Sequence, residues 1–244
     1  MVNNLASSKK KVAEIIQSTK PRGKRELSEI DSKKLLAAWE IPVNLTKLAK
    51  SLNDAIRAAR EIHYPLVMKI ASPDILHKSE AKGVVVGIGS ELELMQAYKD
   101  LMNNARAYKQ DAEIIGVTVQ EYLPPAREII IGALQDPSFG ATVMFGLGGV
   151  LVEVLKDISF RLAPLSLEEA REMILDIKGY PILSGLRGNP PADIDAVADL
   201  IRRVGNLTHE FPEIKELDMN PVFVLNAGKG VVAVDARIVI GEVK

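Results

Sequence analysis

The chain has 244 residues, 47% of them apolar, 26% charged and 5% aromatic, with 31 basic against 32 acidic side chains. That length suits one large or two small domains with ample core, and no window approaches the roughly 18 uninterrupted apolar residues of a membrane span. A near-neutral balance and few aromatic rings argue against a nucleic-acid surface. Zero cysteines exclude disulfides, thiolate metal sites and a cysteine nucleophile. The balance is uneven. Residues 1–25 carry Lys9, Lys10, Lys11, Lys20, Arg22, Lys24 and Arg25 against one acid, Glu14, so the rest of the chain is acidic. This basic start lacks the apolar run of a secretory signal, so no export and a cytoplasmic location are expected. It reads as a solvated, frayed extension, with an arm that touches a partner as the alternative.

Order is expected from Glu26. Ser28–Trp39 has Ile30, Leu35, Leu36 and Trp39 at helical spacing, and Leu52–Ile62 repeats the pattern with Leu52, Ala55, Ile56 and Ala59. Pro65–Ile70 and Gly83–Ile88 read as strands, separated by the polar segment ASPDILHKSEAK, and Glu91–Tyr108 as a helix. These elements make a first α/β unit, residues 26–112. A second, 113–244, opens with strands Ile114–Tyr122 and Glu128–Leu134 joined by the Pro124–Pro125 turn. A turn (QDPSFG), strand Ala141–Phe145, the glycine loop GLGG at Gly146–Gly149 and strand Val150–Val154 follow. Ser166 and Glu169 form a capping box for a helix over Ser166–Lys178, and Asp193–His209 is another helix. Two strands, Glu216–Leu225 and Gly230–Ile240, close the chain around Asn226–Lys229.

The closing pair carries the sharpest chemical signal. In ELDMNP, alternation puts Glu216, Asp218 and Asn220 on one face and Leu217 and Met219 on the other. Two carboxylates and an amide are poor strand formers. A four-residue turn pairs Leu225 with Gly230 and sets Asn220 opposite Asp235, two oxygen donors able to share a hard cation with phosphates and water. A five-residue turn would put them on opposite faces. The alternative is a solvated outer face with Asp235 answering Arg237 or a lysine. The twelve-residue loop holds His77 among Lys78, Ser79 and Lys82, an imidazole placed to cover phosphates or to accept a phosphoryl group, or a surface histidine of no consequence. Lys69 ends an apolar strand, where it either snorkels or meets an anion. Glu121 and Glu128 flank the Pro-Pro turn, where carboxylates accept from ribose hydroxyls; a plain turn explains them equally well.

Together and in this order, the segments YPLVMKIASPDILHKSEAKGVVVGI, QEYLPPAREIIIGALQDPSFGATVMFGLGGVLVEVLKDISFRLAPL, LRGNPPADIDA and ELDMNPVFV with VVAVDAR resemble an ATP-grasp domain, and more narrowly the nucleotide-binding (β) subunit of ADP-forming acetyl-CoA synthetase, or NDP-forming acyl-CoA synthetase. The resemblance runs from about Glu26 to Ile240. It implies an α+β fold of two subdomains enclosing a nucleotide cleft, and a reversible acid–thiol ligase reaction: acyl-CoA, ADP and phosphate give the acid, CoA and ATP. It also implies a CoA-binding α subunit with its own phosphorylatable histidine, in an α2β2 heterotetramer, with no nucleic acid or membrane partner. By the same resemblance His77 is the phosphoryl carrier on a swinging loop, and Asp218 orients the phosphohistidine. Asn220 and Asp235 hold Mg²⁺, and Lys69 contacts the phosphates of ATP or ADP. Glu121, Tyr122 and Leu123 form the adenine hinge and Glu128 binds ribose; Arg161 and the GLGG loop are assigned to the same cleft. Two other readings are a self-sufficient ATP-grasp carboxylate–amine ligase and a non-catalytic nucleotide sensor. The first lacks a third region for an acceptor substrate and leaves a lid histidine idle. The second needs neither His77 nor Asp218.

Overall fold

The computed structural model describes residues 2–19, 25–75, 77–149, 156–185, 188 and 190–242. The chain forms two compact units, one of residues 44–124 and a larger one of residues 1–43 with 125–244.

The smaller unit is a four-stranded antiparallel sheet with two helices against one face. Strands β2 (Thr46–Ala49), β3 (Leu66–Ala71), β4 (Val84–Ile88) and β5 (Gly116–Glu121) lie in the order β2-β5-β3-β4. Helices α3 (Leu52–Ile62) and α4 (Glu91–Tyr108) supply Ala55, Ala59, Leu94 and Leu101 to a core completed by Leu66, Met68, Ile70, Val117 and Val119. Both helices begin at serine caps, where Ser51 and Ser90 accept from the backbone of Asp54 and Glu93.

The larger unit stacks helices on a seven-stranded antiparallel sheet. Its strands are β1 (Arg25–Glu26), β6 (Arg127–Asp136), β7 (Gly140–Leu147), β8 (Ile158–Leu162), β9 (Ile214–Val224), β10 (Val231–Ala233) and β11 (Arg237–Ile240). The order is β1-β11-β9-β6-β7-β8, with β10 also on β9. Helices α1 (Val2–Thr19), α2 (Glu29–Ala38), α5 (Leu167–Asp176), α6 (Tyr180–Ser184) and α7 (Ile194–Glu210) complete the unit. The core gathers Leu35, Leu36, Met173, Ile174, Val197, Ile201 and Val204 against Ile129, Ile131, Val143 and Phe145. Both halves of the Ser166–Glu169 capping box form at α5.

Three expectations need correction. Residues 2–19 are not a frayed extension. Val12 and Ile16, one helical turn apart, are 0% and 2% exposed in the larger core, and Lys9 pairs with Glu210 at 2.7 Å. The lysines lie outside an apolar stripe that docks this helix on the core. The unit boundaries at 26, 112 and 113 also shift, because residues 26–43 belong with the larger unit and β5 with the smaller one. Consequently Pro124–Pro125 does not turn a hairpin; β5 and β6 lie in different sheets. Two consecutive prolines offer no N–H to close a turn and suit a connector better. The strand expected at Val150–Val154 lies outside the described residues. No helix among the described residues is long and apolar enough to cross a membrane.

Candidate functional site

In the larger unit the acidic strand is β9. Leu217 and Met219 are 2% and 0% exposed, so Asp218 is turned to the face away from the helices. The turn has four residues: the Leu225 N–H donates to the Gly230 oxygen at 3.0 Å. Pairing then runs from Val231 opposite Val224 to Ala233 opposite Val222, and resumes with Arg237 opposite Asp218. Three residues separate the two blocks on each strand, so counting along the register brings Asn220 and Asp235 to corresponding positions, with Asp235 itself outside the paired residues. The condition set for that pair on spacing is met. Residues 234–236 leave the strand, with the Val234 N–H donating to the Pro221 oxygen and the Ala236 N–H to Asp235 Oδ1.

Burial pushes the Asp218 carboxyl up; Arg237 opposes that shift and the Asp235 carboxylate adds to it. Arg237 is anchored by Glu26 at 2.8 Å and Glu216 at 3.3 Å. Asn220 and Asp235 offer oxygen only, and no group of three or more His, Asp or Glu side chains among the described residues could cage a metal. This donor set fits an ion such as Mg²⁺ that keeps water and shares phosphate oxygens with a bound ligand.

Glu128, the second residue of β6, lies opposite Phe223, and its carbonyl accepts from the Gly148 N–H at 2.7 Å. A Cβ on Gly148 would stand 2.8 Å from Glu128 Cβ and 3.0 Å from its carbonyl carbon. Gly149 has φ +68° and lies over the Glu128 carboxylate. Gly148 and Gly149 are therefore glycine because they lie flat on Glu128, whereas Gly146 and Leu147 still belong to β7, where a Cβ on Gly146 would meet Ile158. Between Glu128 and Asp218 the same face is floored by Ile130, Gly132, Met144 and Ile158. Arg161 departs from its assignment. It sits opposite buried Val143 on the helix-covered face, and its guanidinium is engaged by Asp176 at 2.6 Å on α5.

In the smaller unit, Lys69 is buried on β3 opposite Thr118 of β5, and Glu121 ends β5 opposite Leu66. Tyr122 and Leu123 follow, half-buried. His77 is exposed on the segment joining β3 and β4. That segment is seated at both shoulders by Ile75 and Ala81, 1% and 3% exposed. Asp74 accepts from the Glu113 N–H at 2.7 Å and Lys109 at 3.2 Å. The Glu113 amide and Lys109 hold the Asp74 carboxyl below the usual range. Beyond Ile75, the Gly83 N–H reaches the Lys78 oxygen at 2.7 Å.

Sequence reasoning missed the polar side chains that share the face of Lys69. Thr118 and Gln120 alternate with Val117 and Val119, a pattern that reads as a half-solvated strand, yet they are 3% and 0% exposed. Asn44, just before β2, is also buried.

The chain matches the ATP-grasp domain family over residues 18–240. It is 48% identical over 227 residues to the acetate–CoA ligase [ADP-forming] II subunit beta of Pyrococcus furiosus, a match spanning 93% of this chain and 96% of that one. Among solved structures, acetyl-coenzyme A synthetase 1 of Ca. Korarchaeum cryptofilum, in complex with coenzyme A and Ca-AMPCP, is 44% identical with a TM-score of 0.88, covering 96% of this chain and 100% of that one. The same enzyme with Mg-AMPPCP, its phosphohistidine segment pointing towards the nucleotide binding site, gives 40% and 0.79 over the same shares.

Proposed function

Since the chain belongs to the ATP-grasp family, we propose that it is the nucleotide-binding β subunit of an ADP-forming acyl-CoA ligase, passing a phosphoryl group between His77 and ADP. The observation that carries this reading is the 48% identity to a subunit of that activity, across nearly the whole of both chains. A separate CoA-binding α subunit follows from that relative's being a β subunit, and an α2β2 assembly with a histidine on each subunit is the form proposed.

The chemistry asks little covalent help beyond one nucleophile. In the direction of ATP synthesis, a terminal oxygen of ADP attacks the phosphoryl group carried on one ring nitrogen of His77. The new P–O bond forms as the P–N bond breaks, and its electron pair returns to the imidazole. Asp218 accepts the N–H of the other ring nitrogen, which fixes the tautomer and steadies the cationic ring while phosphorylated. Asn220 and Asp235 would hold Mg²⁺, which when bound neutralises charge on the phosphate oxygens. Lys69 adds a fixed positive charge, Glu128 takes the ribose hydroxyls, and Glu121–Leu123 read the base. The register of Asn220 with Asp235, and the like-charged pair Asp218 and Asp235, support this assignment, because an acidic cluster at a strand junction is stabilised by a cation.

Incubating the purified chain with γ-labelled ATP and Mg²⁺ tests the relay. Acid-labile, base-stable phosphate on His77, absent from His77→Ala, is the expected result. No phosphohistidine, with or without a CoA-binding partner, would sink it.

A further inference from the structure

The smaller unit buries a chain of polar side chains that, apart from Lys69, the mechanism does not use. Lys69 and Thr118 are cross-strand partners, 7% and 3% exposed. Gln120, fully buried, donates from Nε2 to Thr118 Oγ1 at 2.9 Å. Asn44, 3% exposed, donates from Nδ2 to Gln120 Oε1 at 3.4 Å and to the Glu121 backbone oxygen at 3.2 Å. Buried amides cost stability unless bonded, and an apolar set of the same shape would serve packing as well. Their arrangement therefore calls for an account beyond packing.

The object being held is the Glu121 carbonyl. Strands β2 and β5 pair from Ala49 opposite Val117 to Thr46 opposite Gln120, which makes Leu45 and Glu121 the next antiparallel pair. Half of that pair forms normally: the Glu121 N–H donates to the Leu45 oxygen at 2.9 Å. The other half is diverted, because the Leu45 N–H donates to the Glu121 carboxylate at 3.3 Å. Asn44 stands in for the missing backbone donor, and Gln120 fixes the Asn44 amide. The ladder is thus altered one step before the chain leaves the strand at Tyr122.

We infer that Asn44, backed by Gln120, is the positioning residue that aims the Glu121 carbonyl at the exocyclic amine of adenine, and so sets a preference for adenine over guanine nucleotides. The inference rests on the nucleotide-binding reading above. A carbonyl oxygen has two lone pairs. One goes to Asn44, and the other accepts from an amine at the six-position of the purine. Guanine presents an oxygen there, setting acceptor against acceptor. With the amide donor removed, the Glu121–Tyr122 peptide is free to tilt and the distinction fades.

Calorimetric titration of the full chain with ADP and with GDP, for wild type, Asn44→Ser and Asn44→Asp, tests this. Wild type should prefer ADP by about tenfold or more, the scale of one well-placed hydrogen bond against a repulsive pair. Both variants should weaken ADP by about tenfold and GDP hardly at all, with thermal midpoints lowered by the loss of a buried hydrogen bond but the chain still folded at the titration temperature. Equal weakening of both nucleotides, or discrimination retained in both variants, overturns the inference and leaves the nucleotide reading standing. A wild-type chain that binds the two equally overturns it as well. A wild-type chain that binds neither overturns both.

Discussion

With Ile75 seated, His77 has little freedom, since two residues of extended chain span at most about 7 Å. On the relay proposed above, His77 exchanges a phosphoryl group with a second subunit and needs more than that, so Ile75 is expected to leave its pocket when the segment moves. Ile75 is 1% exposed within the smaller core. Truncation to alanine there costs about 2 kcal/mol at the low end of isoleucine-to-alanine substitutions. If the open segment has Ile75 in water, that cost falls on the closed state alone and the open population rises by about 30-fold. Hydrogen exchange reads this directly at the amides of Ala81 and Gly83, which donate to the His77 and Lys78 carbonyls at 3.2 and 2.7 Å. Both should exchange about 30-fold faster in Ile75→Ala. A variant with a lowered thermal midpoint but unchanged exchange at these two amides would mean Ile75 stays seated while the segment opens, and the reasoning would fail.

Gly148→Ala should separate the glycine loop from Glu128, because the new methyl meets backbone and Cβ atoms that cannot yield; overpacking of this kind costs about 1–3 kcal/mol. A lower thermal midpoint and about tenfold weaker ADP binding are expected by calorimetry, and no change in either would refute the contact. Asp74→Asn tests the acid side. The Asp74 carboxyl is held below its ordinary value by the Glu113 N–H first and Lys109 next, so its contribution is present above the unfolded value and lost as pH falls through the folded one. Melting curves should show the variant less stable at neutral pH, with the gap closing as the carboxylate range is descended; a gap constant with pH would contradict the shift. Asp235→Ala should abolish the strengthening of ADP binding by Mg²⁺, measured by titration with and without the ion, and a variant that still responds would remove Asp235 from the metal site.

Local signals in the sequence translated almost without loss. The Ser166–Glu169 box marks the start of α5, Glu91–Tyr108 is a helix to the residue, and the turn at Asn226–Lys229 has the four residues that the Asn220–Asp235 register requires. Each of these is decided within a few residues by capping, periodicity or turn chemistry. What escaped was decided at a distance. Nothing in GVTVQE says which sheet it joins, since alternation has the same period in either. Strand β2 has too few branched residues to announce itself, and β8, with Phe160 and Leu162 exposed, lacks the pattern of a buried strand.

The same limit separates the two polar rows. Glu216, Asp218 and Asn220 drew notice because charges are poor strand formers and repel, so their presence in a strand calls for a reason. Thr118 and Gln120 call for none: neutral polar residues alternating with valines are what a one-sided sheet shows to water. Only the fold reveals that these two side chains are buried, on a face where Leu48 and Val86 stay exposed, with Gln120 bonded to Asn44 across 76 residues of chain. A charged site is therefore visible in composition, whereas a positioning network of neutral amides becomes visible only when burial is known. The two kinds meet at Glu121: the base-reading position proposed for it lies at a strand end before the Pro-Pro step, and its oxygen accepts from Asn44, a residue that the sequence pattern left unremarked.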